Sequence, residues 1–278
     1  MGPGMAVSGM GVETRKLMPE IADAFRRNGL INFAAAISFL IVLALVPFLL
    51  FLLATLGFLE LEEVWRKDVA PELRGSLSEA AYRLLDDTAT RVLTQQEIWW
   101  VTLGFALTLW QISAATRVTM TALDRIYGFH RRRGFLEVFP RSVVLGLAMG
   151  TAVVAAVVVV RFVPLATGDL DGAAAVVSFL GRWLVAAALL GAGVALLVHY
   201  GSATRQTLPW VTVGTGLVMA ACIGMSILFG LYVTYVANYG SVFGNLATFF
   251  VLLLYVYSSS IAFLAGVQAD ACVRTNSS

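Results

Sequence analysis

The sequence predicts an all-α, polytopic membrane protein. The expected architecture is six transmembrane helices, an amphipathic N-terminal helix, and a small helical extracytoplasmic cap after the first span. Three observations carry this. Of 278 residues, 59% are hydrophobic and only 13% charged, against roughly 25% charged in soluble domains. The stretch from Gln206 to Ala269 holds no Asp, Glu, Lys or Arg. A span takes about 20 apolar residues, so this stretch has room for two spans and a turn at Ala237-Asn238-Tyr239-Gly240-Ser241. Finally, the arginines and lysines are unevenly shared among the connections, as expected of a chain oriented in a bilayer.

Residues 1–32 form the N-terminal segment. Thr14 to Asn28 reads as an amphipathic helix, with Leu17, Ile21 and Phe25 on one face and Arg15, Lys16, Arg26 and Arg27 around them. Such a helix lies at a lipid interface or simply flanks the first span. The first span is expected near 33–58 and contains Pro47, which removes a backbone donor and makes it a candidate hinge. The cap follows at 60–97, with nine acids and five bases. Within it, Ser76-x-x-Glu79 reads as a capping box, and Leu77, Ala81, Leu84, Leu85 and Thr88 as one helix face. The second span, 98–116, opens on Trp99-Trp100, as an interfacial aromatic belt does. It is unusually polar, with Thr102, Thr108, Gln111, Ser113 and Thr116. The connection Arg117–Arg141 is the most basic, with six arginines. The remaining spans are expected at 142–163, 179–200, 209–235 and 244–269, and 270–278 as a short polar tail. Small residues let membrane helices approach closely. Gly146/Gly150, Ala187/Gly191/Ala195, Gly216/Ala220/Gly224 and Ser258/Ala262/Gly266 are the packing seams this suggests.

Six spans place both termini on one side. With the N-terminus inside, twelve of the nineteen lysines and arginines are cytoplasmic, which the positive-inside rule favours. Arg161 and Arg182 then snorkel towards the outer interface. The two cysteines, Cys222 and Cys272, make no disulfide framework or CxxC pair. No cleavable signal pattern precedes the first span.

Several stretches together resemble the YihY/BrkB family of bacterial inner-membrane proteins. They are FAAAISFLIVLALVPFLLFL with Pro47, then Ala122-Leu123-Asp124-Arg125-Ile126-Tyr127-Gly128, then Tyr239-Gly240-Ser241 with LLLYVYSSSIAFLAG and Gly266-Val267-Gln268-Ala269-Asp270. The chain departs from the family pattern at Ala44, Asp124, Tyr255 and Gln268, where the family often carries Ser, Asn, Trp and Glu. The resemblance implies a six-span helical fold in the inner membrane and no particular reaction. Some members carry an old ribonuclease label. Others have been tied to resistance to host killing or to lipid export.

The residues admit three functional readings. Polar groups inside a membrane are costly and usually face a bundle interior or cavity. Gln111, Ser113, Thr116, Arg117, Asn238, Asn245, Ser258, Gln268 and Asp270 are therefore the candidate lining of a transport pathway, and Arg117 with Asp270 a candidate ion pair closing the bundle. The bland alternative for the hydroxyls is a bond to their own helix carbonyls. The leading reading is transport or export of a lipid or other amphipathic molecule. The second is a non-enzymatic assembly or envelope-integrity factor whose cap docks a periplasmic partner. The third, a ribonuclease, is disfavoured: it needs an acid–base pair or a metal cluster, and His130 and His199 stand apart from any carboxylate pair. Arg125, Arg131, Arg132 and Arg133 read as a topology signal with anionic-lipid contact rather than a nucleic-acid site. No catalytic residue, metal or cofactor is expected. Expected partners are membrane lipids, a second copy of the chain and, under the docking reading, a protein at the cap.

Overall fold

The structure is a computed structural model. It describes residues 19–59, 63, 65–71, 74, 79–95, 97–129, 134–167, 172–202, 224, 227–228, 230–231 and 242–277. The protein is all-α, with no strand among the described residues. Its elements are α1 (19–27), α2 (Leu30–Phe58), a π-helical turn (Trp65–Val69), α3 (Glu79–Gln95), α4 (Ile98–Ile126), α5 (Phe135–Thr167), α6 (Ala173–Gly201) and α7 (Val242–Ser277). Five of these, α2 and α4 to α7, are long and apolar enough to cross a membrane. The fifth expected span, 209–235, lies almost wholly outside the described residues, as do residues 14–18 and Ser76.

Several helices outrun their predicted ends. The sequence predicts the end of the second span at Thr116, because Arg117 follows. The helix α4 instead continues to Ile126, so Arg117 and Arg125 are helical residues rather than loop residues. What ends α4 is local backbone chemistry, not charge. Gly128 takes φ 77°, a left-handed conformation that glycine adopts without steric cost. The amide of Phe129 then bonds the carbonyl of Asp124 at 2.7 Å, and that of Gly128 bonds Arg125 at 3.2 Å. This is a Schellman cap, and it accounts for the glycine closing the Ala122–Gly128 motif. The predicted polar tail is likewise helical, because α7 runs through Asp270 to Ser277. Helix α5 begins at Phe135 and ends at Thr167, wider than 142–163 at both ends, and α2 runs unbroken through Pro47.

The chain divides into two compact units. One comprises Ile31–Ala115 and Val218–Phe263; the other comprises Met1–Leu30, Thr116–Leu217 and Leu264–Ser278.

In the first unit, α2 turns Phe39, Val46 and Leu49 outward and buries Ala34, Ile37, Ser38 and Ala44. Exposed apolar side chains on such a helix suit a lipid surround. Helices α2 and α4 approach closely at Gly104, where a Cβ would stand 2.7 Å from the backbone nitrogen of Phe51. The rings of Phe51 and Phe105 meet beside it at 5.5 Å. Gly57 plays the same part against the backbone of Leu93 in α3. The cap segment packs there around Trp65, Ala70, Ala89 and Leu93, with Leu53, Leu56 and Tyr82 against them. Among the described side chains of α3, Ala89 and Leu93 are buried and Tyr82 and Asp86 half-buried, whereas Leu85, at 40% exposure, and Thr88 of the expected face are exposed; Leu77 and the side chains of Ala81 and Leu84 lie outside the described residues. A polar residue, Asp86, interrupts the buried stripe, and that is what displaced the sequence reading.

In the second unit, the C-terminal part of α4 is buried on most sides: Thr116, Thr119, Met120, Ala122, Leu123 and Ile126. Gly201 of α6 meets Leu123 and Met120. Helices α5 and α6 pack along their length, closest where Gly193 faces Met149 and Ala152 at 3.0 and 3.1 Å from a notional Cβ. The predicted seam residues Gly150 and Gly191 have no described atom within 4 Å of a notional Cβ. The close approach uses Gly193, on a neighbouring face, because the buried stripe of α6 runs through Ala186, Gly193, Leu197 and Gly201.

Candidate functional site

In the second unit, three helices are tied together at Asn28. Asn28 follows α1 in the turn, and Gly29, at φ 63°, leads the chain directly into α2. The Asn28 side-chain amide donates to Gln268 Oε1 of α7 at 2.9 Å. Gln268 Nε2 in turn donates to Cys272 Sγ, one helical turn on, at 3.4 Å. Arg125, in the last turn of α4, reaches the Asn28 carbonyl at 3.4 Å. Gln268 is buried, at 4% exposure, and both ends of its amide are engaged. A buried amide left unpaired is costly, so this clasp fixes how α1 leaves the bundle. Gln268 and Arg125 are among the candidates the sequence marks, and Asn28 is not. Its only signal was a polar amide immediately before a helix-breaking glycine.

The other candidates fall as follows. Ser113 and Thr116 are buried on α4, and Gln111 is half-buried. Arg117 is half-buried with its guanidinium 5.5 Å from the centre of the Phe139 ring. Ser258 and Asp270 are half-buried on α7. Thr116, Arg117, Arg125, Gln268 and Asp270 belong to one unit, and Gln111, Ser113 and Ser258 to the other. Asn238, Arg131, Arg132 and Arg133 lie outside the described residues, as does the side chain of Asn245. Many hydroxyls bond carbonyls of their own helix. Thr102 bonds Ile98 at 2.8 Å, Thr108 bonds Gly104 at 2.6 Å, and Ser260 bonds Val256 at 2.8 Å. Ser259 Oγ is buried with no partner among the described residues.

A second locus sits in the other unit. Trp65 Nε1 donates to Asp86 Oδ1 at 3.1 Å, and these two residues border a cavity with Tyr82 and Thr90. Neither Trp65 nor Asp86 is a candidate from the sequence. Their pairing is fixed by the fold of the cap rather than by spacing along the chain. Among the described residues, no three His, Cys, Asp or Glu side chains converge. His199 lies edge-on to Tyr200 at 4.5 Å.

Long apolar helices with lipid-suited exteriors define a multi-pass α-helical membrane protein. A family model described as virulence factor BrkB matches residues 21–278, and the chain belongs to that family. It is also similar, at 24% identity over 249 residues, to a protein of Bacillus subtilis (strain 168) whose name calls it the ribonuclease-like protein YfkH. That match covers 87% of this chain and 89% of the relative. No solved structure matches the chain.

Proposed function

We propose that this protein moves a lipid or another amphipathic molecule across the bacterial inner membrane, with both termini in the cytoplasm. The observation that supports it is the polar interior of α4. A helix apolar enough to span a bilayer buries Thr108, Ser113, Thr116 and Thr119. Polar groups at membrane depth are retained mostly where they face a bundle interior or a pathway. The test is reconstitution into vesicles carrying a fluorescent lipid, with leaflet exchange read by quenching from outside. Exchange above protein-free vesicles is the expected result; none would sink the reading.

The docking alternative is favoured by one observation, the independent cluster around Trp65 at the end of α2. If the protein moves no lipid, and replacing residues 60–97 abolishes partner capture while the bundle stays folded, docking is the better account. The name of YfkH raises nuclease chemistry, which requires general acid–base groups or metal ligands at one place. Purified protein is expected to leave RNA uncut with any divalent metal.

A further inference from the structure

The cap cavity is about 370 Å3, within the size range of small-ligand sites. One wall comes from α3, whose Tyr82, Asp86, Thr90 and Leu93 share a helix face. The other comes from the π-helical turn, through Trp65 and Arg66. Two aromatic side chains thus flank one carboxylate. Asp86 is half-buried, and one of its oxygens is taken by Trp65 at 3.1 Å. Among the described residues no lysine or arginine stands in ion-pair contact with it. Aromatic faces attract cations through their quadrupole, and a carboxylate supplies the counter-charge. One side of the Tyr82 ring already carries a cation, the Arg74 guanidinium at 5.7 Å from its centre, so an ammonium would use the other. A purely apolar ligand would strip water from Asp86 without replacing it, which is costly. A simple anion would meet the same carboxylate. Arg66 borders the cavity at its exposed side, so a ligand with an acidic group beside its ammonium meets both charges.

We propose that this cavity binds a zwitterionic headgroup, its ammonium held between Asp86, Trp65 and Tyr82 and its phosphate towards Arg66. The site deepens the transport reading by naming a headgroup chemistry, and rests on that reading for its link to lipid. The chemistry is shared by an aminophospholipid and by a free amino-alcohol phosphate. The experiment uses full-length protein in nanodiscs of phosphatidylglycerol, labelled with 5-fluorotryptophan and followed by fluorine NMR. Trp65→Phe assigns the Trp65 signal. Short-chain phosphatidylethanolamine, free phosphoethanolamine and short-chain phosphatidylglycerol are then titrated. The two ammonium compounds are expected to shift the Trp65 signal and the last is not. Tighter binding of the lipid than of the free compound identifies a lipid site; equal binding identifies a soluble zwitterion at the same site. Asp86→Asn keeps an acceptor for Trp65 and is expected to weaken binding by about tenfold or more, with thermal stability retained. No Trp65 shift with either ammonium compound, or equal binding by Asp86→Asn, overturns the proposal. Leaflet exchange is measured on the same samples. Its absence beside a persistent Trp65 shift removes the transport reading and leaves the site standing.

Discussion

Gly104 shows how little room the α2–α4 contact leaves. A Cβ there would stand 2.7 Å from the nitrogen and 2.8 Å from the Cα of Phe51, and backbone cannot rotate away as a side chain can. Overpacking of this kind costs about 1–3 kcal/mol. Gly104→Ala is expected to lower the midpoint of SDS-induced unfolding accordingly, while Gly150→Ala, with no described atom within 4 Å, leaves it in place. The Asn28–Gln268 bond is testable by a double-mutant cycle. Asn28→Ala and Gln268→Ala are expected to couple by about 0.5–1.5 kcal/mol. A coupling of zero in the same unfolding assay would mean the two amides act independently.

Turns between helices depend on single glycines here. Gly29 holds φ 63° between α1 and α2, with Arg125 Nη1 3.7 Å from a notional Cβ. An L side chain in that conformation costs about 1–2 kcal/mol. Gly29→Ala is expected to loosen α1 from the clasp, seen as faster hydrogen exchange over residues 19–27 with the exchange of α5 unchanged. Helices α4 and α7 carry Arg117 and Asp270 inside their C-terminal halves, each half-buried. If they pair, Arg117→Asp and Asp270→Arg each lower stability and the double swap restores it; a double swap no better than either single change removes the pairing. On α6, Arg182 lies 4.9 Å from the Phe179 ring centre, one turn nearer the helix start. That is the direction in which a helical side chain leans, and Arg182 Nε is buried there with no hydrogen-bond partner among the described residues.

At the scale of the molecule, five described helices suit a bilayer, yet several exceed what a bilayer needs. Helix α4 has 29 residues and α7 has 36, against about 20 for a span. The surplus residues of α4 and α7 belong to the unit that holds the Asn28 clasp. Reporter fusions test the proposed orientation. Alkaline phosphatase is expected to be active when inserted in 60–97 and inactive at the C-terminus; activity at the C-terminus would overturn the six-span, both-termini-inside topology.

The sequence by itself determined the class of protein. Apolar runs of span length admit no other solvent, since a backbone in hydrocarbon must satisfy its own polar groups. It also placed each of the five described spans inside the helix that carries it, and it carried the family motifs. It misjudged where α4 and α7 stop, because charge marks the edge of a membrane while a helix ends at its cap, here Gly128. It put Leu85 and Thr88 on the buried face of α3, where both are exposed, because the half-buried Asp86 interrupts the apolar pattern of the stripe that packs on Trp65. The clasp at Asn28 was invisible to it because no pattern along the chain marks it. Residues 28 and 268 are distant in the chain, and only the packing of α1, α4 and α7 gives their amides each other as partners.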